Sequence, residues 1–157
     1  MDGAHRLRRV RALLYEWGRS GDRIEALIDQ QRSAMRAMIE IDEDIGGRAP
    51  MDGQPRSTVP GDPVWRAYQA RERLREVLAD DVEVCQREID TITTFRREIG
   101  GLINSLPPVR RDVVILRYTD GATWLYIGYK LHMDESTARR HDRAACEALA
   151  DIIVMRD

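Results

Sequence analysis

Apolar residues recur every three or four positions along most of this chain, which is the spacing of one face of an α-helix. Near the start, four residues with this spacing predict a short helix that ends near Gly18 to Gly21. These four are Leu7, Val10, Leu14 and Trp17. No stretch shows the sustained alternation of β-branched and polar residues that a strand would need. The pattern therefore predicts an all-α protein.

A second helix is predicted from Asp22, a suitable N-cap, to Ile45. Its apolar residues keep a seven-residue rhythm, although Gln31 and Asp42 occupy two of the seam positions. The rhythm is carried by Ile24, Ile28, Met35, Met38 and Ile45. Together with the first helix, this stretch makes an N-terminal helical segment, 1–45. Residues 46–62 read GGRAPMDGQPRSTVPGD and predict a flexible linker, because Gly and Pro recur too often for a helix.

A long helix is predicted over 63–105, with Asp62 as its cap and Pro63 at its first position. Its apolar residues alternate steps of three and four and are Leu78, Val82, Cys85, Ile89, Ile92, Ile99, Ile103 and Leu106. Gly100 and Gly101 are candidates to bend or end it. A helix of this length with a narrow apolar stripe must pack on another helix. The partner is either the Asp22 to Ile45 helix, folded back as an antiparallel hairpin, or a second copy of the chain.

Residues 106–157 change to a set of short helices. The first is predicted from Val109 to Tyr118, and a turn at Thr119-Asp120-Gly121 follows it. Thr123 is placed to cap the second helix, Trp124 to Leu131. A turn of three residues then leads to a last helix that begins near Glu135 and buries a stripe of mostly small side chains. These are Ala138, Ala145, Ala148, Leu149 and Ile152.

Composition narrows the function classes. The 157 residues carry a net charge of −2, which argues against indiscriminate coating of nucleic acid, because such binding depends on neutralising phosphates. The two cysteines make no disulfide framework, and the apolar runs are too short to span a bilayer, so we expect a protein of the reducing cytoplasm with no membrane partner. No His/Cys ligand spacing, nucleophile motif or phosphate-binding Gly loop appears, so we expect no metal, no cofactor and no enzyme activity.

Candidate chemistry is concentrated on the outward face of the last helix. Its first turns carry two hydroxyls and three arginines, namely Ser136, Thr137, Arg139, Arg140 and Arg143. The acids in the same turns are Glu135 and Asp142. A helix, a short turn and a second helix can place the second helix in a major groove, where arginine binds guanine acceptors and hydroxyls bind phosphates. Thr123 and Lys130, at the two ends of the preceding helix, are further candidates for phosphate contacts. We expect Trp124 to be a core residue.

The string LPPVRRDVVILRYTDGATWLYIGYKLHMDESTARRHDRAACEAL resembles region four of bacterial RNA polymerase sigma factors. The Gly-x-Thr-Trp form, with a helical front half and a linker running into Gly-Asp-Pro, is similar to phage late-gene transcriptional activators of the RinA and ArpU type. The resemblance implies a helix-turn-helix that binds double-stranded DNA and acts with RNA polymerase in a bacterial host cell. Two residues depart from the pattern: His141 replaces an apolar residue and Tyr129 replaces a small one.

No segment matches the sigma region that melts a promoter, so we expect a regulator of polymerase, with the front half serving dimerisation or polymerase contact. An alternative of another class is a packaging protein such as a small terminase subunit, which also combines a helix-turn-helix with helical oligomerisation. In a third alternative, the long helices are the working part, and the C-terminal segment binds protein and not DNA.

Overall fold

The computed structural model describes residues 3–46 and 63–154, and within these ranges the chain is all-α, as predicted. The described residues form five helices and no strand. Their bounds are α1 Gly3–Gly46, α2 Pro63–Asn104, α3 Pro108–Tyr118, α4 Trp124–Leu131 and α5 Glu135–Val154. Apart from Gly46, which ends α1, the predicted linker lies outside the described residues, as does the predicted cap Asp62. No helix in the described ranges is long and apolar enough to cross a bilayer.

The first helix does not end at Gly18 to Gly21, and the prediction of a break there was wrong. A Cβ on Gly18 would fall inside contact distance of the Tyr118 carbonyl oxygen, and one on Gly21 would lie 3.0 Å from the Arg96 guanidinium. Ser20 between them is buried. These small residues therefore allow close approach of neighbouring groups, and Asp22 is an exposed residue inside α1 rather than an N-cap.

Two compact units divide the described chain. The terminal unit comprises Met1–Ile24 and Thr91–Asp157, and the hairpin unit comprises Glu25–Asp90. Each unit therefore contains part of α1 and part of α2, and the terminal unit also contains α3, α4 and α5.

In the hairpin unit, α1 and α2 run antiparallel, as in the first of the two predicted pairings. The Gln31 amide donates to the Val82 carbonyl at 3.3 Å and to the Gln86 side chain at 3.0 Å. Towards the C-terminal end of α1, Arg75 pairs with Asp42 at 2.8 Å and Arg71 pairs with Asp44 at 2.7 Å. The acidic end of α1 is thus ion-paired across the hairpin.

One residue that the sequence predicts for the apolar seam of α1 is exposed in the structure. Met35 is 51% exposed, whereas Ala34 beside it is buried, so the prediction of Met35 as a seam residue was wrong. The buried and half-buried residues still keep a seven-residue count, but Leu27, Ala34 and Ile41 take part in it rather than Met35 and Asp42. The side chain of Ile45 lies outside the described part of the chain. In α2, by contrast, the seven predicted apolar positions within the helix are buried or half-buried, and Leu106, just beyond its end, is buried. The helix also runs through Gly100 and Gly101 without a break.

The terminal unit has a core to which four helices contribute. Val10 and Leu14 of α1 and Ile103 of α2 are 3%, 1% and 1% exposed and pack in one cluster with residues of α3 and α5. The α3 and α5 members are Val114, Tyr118, Ala145, Cys146, Leu149 and Ala150. A smaller cluster of Val113, Ile127 and Ala138 joins α3, α4 and α5. The segment 106–157 therefore completes its core with the start of α1 and the end of α2.

Candidate nucleic-acid interface

Turns and caps fix α3 and α4 at the positions that the sequence predicts. Pro108 stands in the first turn of α3, where its missing N–H is not needed. The turn after α3 contains Gly121 at φ 64°, a left-handed conformation that glycine adopts without strain. The Thr123 hydroxyl accepts the Tyr126 N–H at 3.2 Å, as predicted for an N-cap. Thr123 is therefore already engaged within its own helix.

The turn between α4 and α5 is tight and has an unusual residue at its centre. His132 adopts φ 56° and ψ 47°, a left-handed backbone conformation that is uncommon for residues other than glycine. The Met133 N–H donates to the Gly128 carbonyl at 2.9 Å. A Cβ on Gly128 would lie 2.6 Å from the Met133 carbonyl oxygen, so Gly128 allows the turn to fold back closely onto α4.

Asp134 caps the N-terminus of α5. One of its carboxylate oxygens accepts the Thr137 N–H at 2.7 Å and the Ser136 hydroxyl at 2.6 Å. These two bonds lower the pKa of Asp134 to about 2, the Ser136 hydroxyl having the larger effect. The Thr137 amide and the Ser136 hydroxyl thus bind an internal carboxylate, and sequence reasoning missed this cap.

The outward face of α5 carries the predicted residues, and we call Ser136, Thr137, Arg139, Arg140 and Arg143 the arginine face. All are exposed except Thr137, which is half-buried. The side chains of Arg139 and Arg143 keep 61% and 68% of their surface exposed. The opposite side of α5 is buried through Ala138, Ala145 and Leu149. Within the described part of the chain, four of these five side chains are therefore exposed, as the helical spacing predicts.

Local pairs hold the arginines of this face. Arg139 lies 3.6 Å from Glu135, Arg143 donates to Glu147 at 2.9 Å, and Arg140 donates to the Thr137 hydroxyl at 2.9 Å. Such exposed pairs contribute only about 0–1 kcal/mol each, so a competing anion can displace them. The Thr137 hydroxyl accepts from Arg140, and its own hydrogen bond to the Asp134 carboxylate helps to lower the pKa of that group.

Trp124 connects α3, α4 and α5. It is half-buried and packs against the cluster around Ile127, in keeping with the predicted core role. Two guanidinium groups lie near its ring, that of Arg117 at 4.6 Å and that of Arg139 at 5.8 Å. A cation near an aromatic face gains electrostatic attraction. Trp124 thus helps to position Arg139 at the edge of the arginine face.

Asp142 is not on the arginine face, and its assignment to that face was wrong. It is 2% exposed, accepts the Tyr118 hydroxyl at 2.9 Å and pairs with Arg11 at 3.3 Å. With Cys146, 3.9 Å from both Asp142 and Tyr118, these residues form what we call the Asp142 cluster. Burial raises the pKa of Tyr118, and it raises the pKa of Cys146 to about 11. Both groups are therefore protonated at neutral pH.

The sequence contained a signal for this cluster. Asp142 lies four residues after Ala138 and three before Ala145, which places it on the buried stripe of α5. Arg11, by contrast, lies in an N-terminal run of arginines, and its position in the sequence does not indicate a contact with Asp142. Its guanidinium reaches Asp142 from α1, and the carboxylate beside it raises the pKa of Arg11 in spite of the desolvation that lowers it.

The remaining predicted contacts lie on or beside α4. Lys130 is exposed at the end of that helix, and Thr123 is exposed at its start. The rest of the solvent face of α4 is apolar or aromatic, with Leu125, Tyr126 and Tyr129 70%, 48% and 79% exposed. Tyr129, one of the two departures from the sigma-like pattern, therefore does not alter the packing of α4. His141, the other departure, is half-buried.

The described residues hold no group of His, Cys, Asp and Glu side chains arranged to bind a metal. The terminal unit of this all-α fold does present one helix, α5, whose arginine face is exposed. The chain belongs to the family described as protein of unknown function (DUF722), whose model matches residues 20–151. The comparisons with curated proteins and with solved structures found no match.

Proposed function

We propose that this protein is a sequence-specific regulator of transcription that places α5 in the major groove of double-stranded DNA. The observation that supports the proposal is the open arginine face, on a helix that follows a short helix and a three-residue turn. An α-helix fits the major groove, and arginine makes bidentate hydrogen bonds to guanine there. Arg139, Arg140 and Arg143 are the residues that bind base edges.

The residues of the arginine face differ in what they can bind. The Ser136 and Thr137 hydroxyls donate to a phosphate oxygen only after their protons leave the Asp134 carboxylate, and that ionised carboxylate disfavours a phosphate at the N-terminus of α5. Phosphate contacts therefore depend mainly on side chains, among which we include Lys130 and Thr123. Each lost guanine contact is expected to cost about 1–3 kcal/mol of binding free energy.

Selection of bound sequences from random DNA duplexes, followed by a gel shift, tests this function. The triple substitution of Arg139, Arg140 and Arg143 by alanine is expected to abolish binding to the selected sequence. The matched control substitutes three exposed arginines of α1 by alanine, namely Arg19, Arg32 and Arg36, which removes the same charge. Specific binding that survives the first triple substitution would refute the site, and selection of no sequence would refute the function.

The partner in regulation is host RNA polymerase, and the resemblance to sigma region four and to RinA/ArpU-type phage activators supports this step. In the proposal the protein works in the cytoplasm of a bacterial host and adds to polymerase rather than replacing its sigma subunit. Transcription in vitro with purified bacterial polymerase tests it. Transcript from a template with the selected sequence should rise or fall on addition of the protein, and the triple alanine variant should have no effect.

A second candidate function is DNA packaging as an oligomer. The observation that favours it is the exposed apolar surface of the hairpin unit, which a larger assembly would bury. Packaging subunits form large rings, so a mass of about eight chains or more would favour this function over the regulator.

A further inference from the structure

The hairpin unit buries little of its own apolar surface. Among its described residues, the apolar side chains that reach full burial are Ala34 and Cys85, and both are small. Larger apolar side chains stay exposed on both helices, with Met35 and Ile39 on α1 and six more on α2, of which Leu74, Val77 and Val84 are about half exposed. Helices gain most of their stability from packing of an apolar face, so two helices with so small a core call for a further layer.

The three residues of α2 lie on one line. Leu74, Val77 and Val84 are separated by steps of three and seven, which return to the same face of a helix, and they are 51%, 55% and 51% exposed. We call them the α2 stripe. It lies beside the seam that α2 turns towards α1, formed by Leu78, Val82, Cys85 and Ile89, and Leu74 borders that seam four residues before Leu78. A helix with two apolar stripes is typical of bundles with more than two helices.

The charges of α2 indicate what covers this stripe. Residues 66–75 contain four arginines and one glutamate, whereas residues 76–90 contain six acids and one arginine. Two α2 helices in antiparallel contact bring the basic half of each against the acidic half of the other, and a parallel contact would bring like charges together. Such complementarity favours an isologous contact about a two-fold axis.

One register fits two residues of the stripe and the charges. With the two-fold axis at Val77, that residue meets its own copy, Val84 meets Ala70 of the second copy, and Leu74 meets Asp80 of the second copy. Asp81, an exposed acid on the same line, then meets the exposed Arg73 of the second copy. An acidic residue that would interrupt the apolar contact is thus paired in this register.

We propose that the occupant of the α2 stripe is a second copy of this chain, bound in antiparallel contact of α2 with α2. The two hairpin units then form a dimer with four helices. This interface does not depend on the proposed DNA binding, because it lies on other residues.

The mass of the full chain in solution, measured without DNA over a range of concentrations, tests the dimer. The wild type is expected to reach twice the chain mass of 18.1 kDa. Val77→Glu with Val84→Glu is expected to give the single-chain mass with unchanged helix content in circular dichroism. The control, Met35→Glu with Ile39→Glu, places the same charges on equally exposed apolar residues away from the stripe and should remain dimeric.

Reversal of the charges at Arg73 and Asp81 tests the register without changing apolar residues. This test therefore remains informative if the glutamate variants fail to fold. Arg73→Glu is expected to raise the dimer Kd about tenfold or more, and addition of Asp81→Arg should restore it to within about threefold. Restoration supports the antiparallel register, and its absence overturns it. A wild type that stays monomeric, a dimer that survives the stripe variant, or a ring of about eight chains overturns the proposal. None of these masses depends on the arginine face, so each proposal fails separately.

Discussion

Asp134 and Asp142 belong to the same helical region but act in different ways. Asp134 is exposed and ionised, and it caps α5 through bonds to Ser136 and Thr137. Asp142 is buried and joins α5 to α3 and α1 through Tyr118 and Arg11. One aspartate therefore sets where the helix begins, and the other sets how it lies on the core.

The Asp134 cap predicts a pH dependence of stability. Its pKa is lowered from 3.8 to about 2 in the folded chain, so its contribution is fully present above about pH 4 and is lost as the pH falls towards 2. Asp134→Asn keeps an oxygen acceptor but cannot titrate. We expect the difference in thermal midpoint between wild type and this variant to shrink as the pH falls from 5 to about 2.5. A difference that stays constant over this range would contradict the assignment.

The Asp142 cluster predicts a selective cost of losing one hydroxyl. Tyr118→Phe removes the bond to Asp142 and leaves that buried carboxylate with fewer donors, which should lower the free energy of unfolding by about 1–3 kcal/mol. Urea unfolding measures the change. Tyr15→Phe is the matched control, because the Tyr15 side chain is 43% exposed and packs edge-on to the Tyr118 ring. Equal losses from the two variants would show that the buried hydroxyl has no special role.

At the scale of the element, two glycines of long helices have opposite consequences. Gly18 lies against the Tyr118 carbonyl, whereas a Cβ on Gly101 would meet nothing within 4 Å. Gly18→Ala is expected to cost about 1–3 kcal/mol or more through overpacking, although alanine is the better helix former. Gly101→Ala should stabilise the protein by about 0.5–1 kcal/mol. Thermal unfolding of the two variants provides the comparison, and stabilisation by Gly18→Ala would contradict the close approach.

Some residues of the sequence predicted the bounds of the helices correctly, and others did not. Pro108, Gly121 and Thr123 gave the bounds of the short helices, because each acts on its own local backbone. Gly18 predicted a helix end that does not exist, since the closeness of α3 to α1 depends on tertiary packing. The left-handed His132 was also beyond prediction, because nothing local distinguishes it from an ordinary helix-end residue.

At the scale of the whole molecule, the terminal unit draws its core from both ends of the chain. The predicted boundary at 106 follows the local helix pattern, which carries no information about the contacts of α1. Val10, Leu14 and Ile103 are each nearly fully buried against α3 and α5. Burial of such a side chain is worth about 1.5–3 kcal/mol, and whole domains are stable by only about 5–15 kcal/mol.

A fragment comprising residues 106–157 is therefore expected to lose cooperative folding, because it lacks these three core residues. Circular dichroism should show reduced helix content and a broad thermal transition, whereas the full chain melts sharply. Addition of residues 91–105 alone should not restore the transition, since Val10 and Leu14 are still absent. A sharp transition of the short fragment would show that α3, α4 and α5 need no support from α1.

The candidate site was largely predictable from sequence because it lies on one helix. The outward position of Arg139, Arg140 and Arg143 follows from helical spacing against the buried alanines of α5. Spacing also supplies Glu147, four residues after Arg143, as a partner, but it did not supply the contact of Arg139 with Trp124, which lies across the turn on α4. The burial of Asp142 could have been deduced from the same spacing.

The two sides of α5 are subject to separate constraints. The side chains that hold the helix in place include Asp142 and Ala145, and Ser136 supports the Asp134 cap, while the side chains at 139, 140 and 143 are exposed. Exchanges at those three positions leave the scaffold almost unaffected, so in the proposed role related chains can diversify their target sequences quickly while the same framework persists. A library randomised at only these positions would be a practical source of altered binding preference.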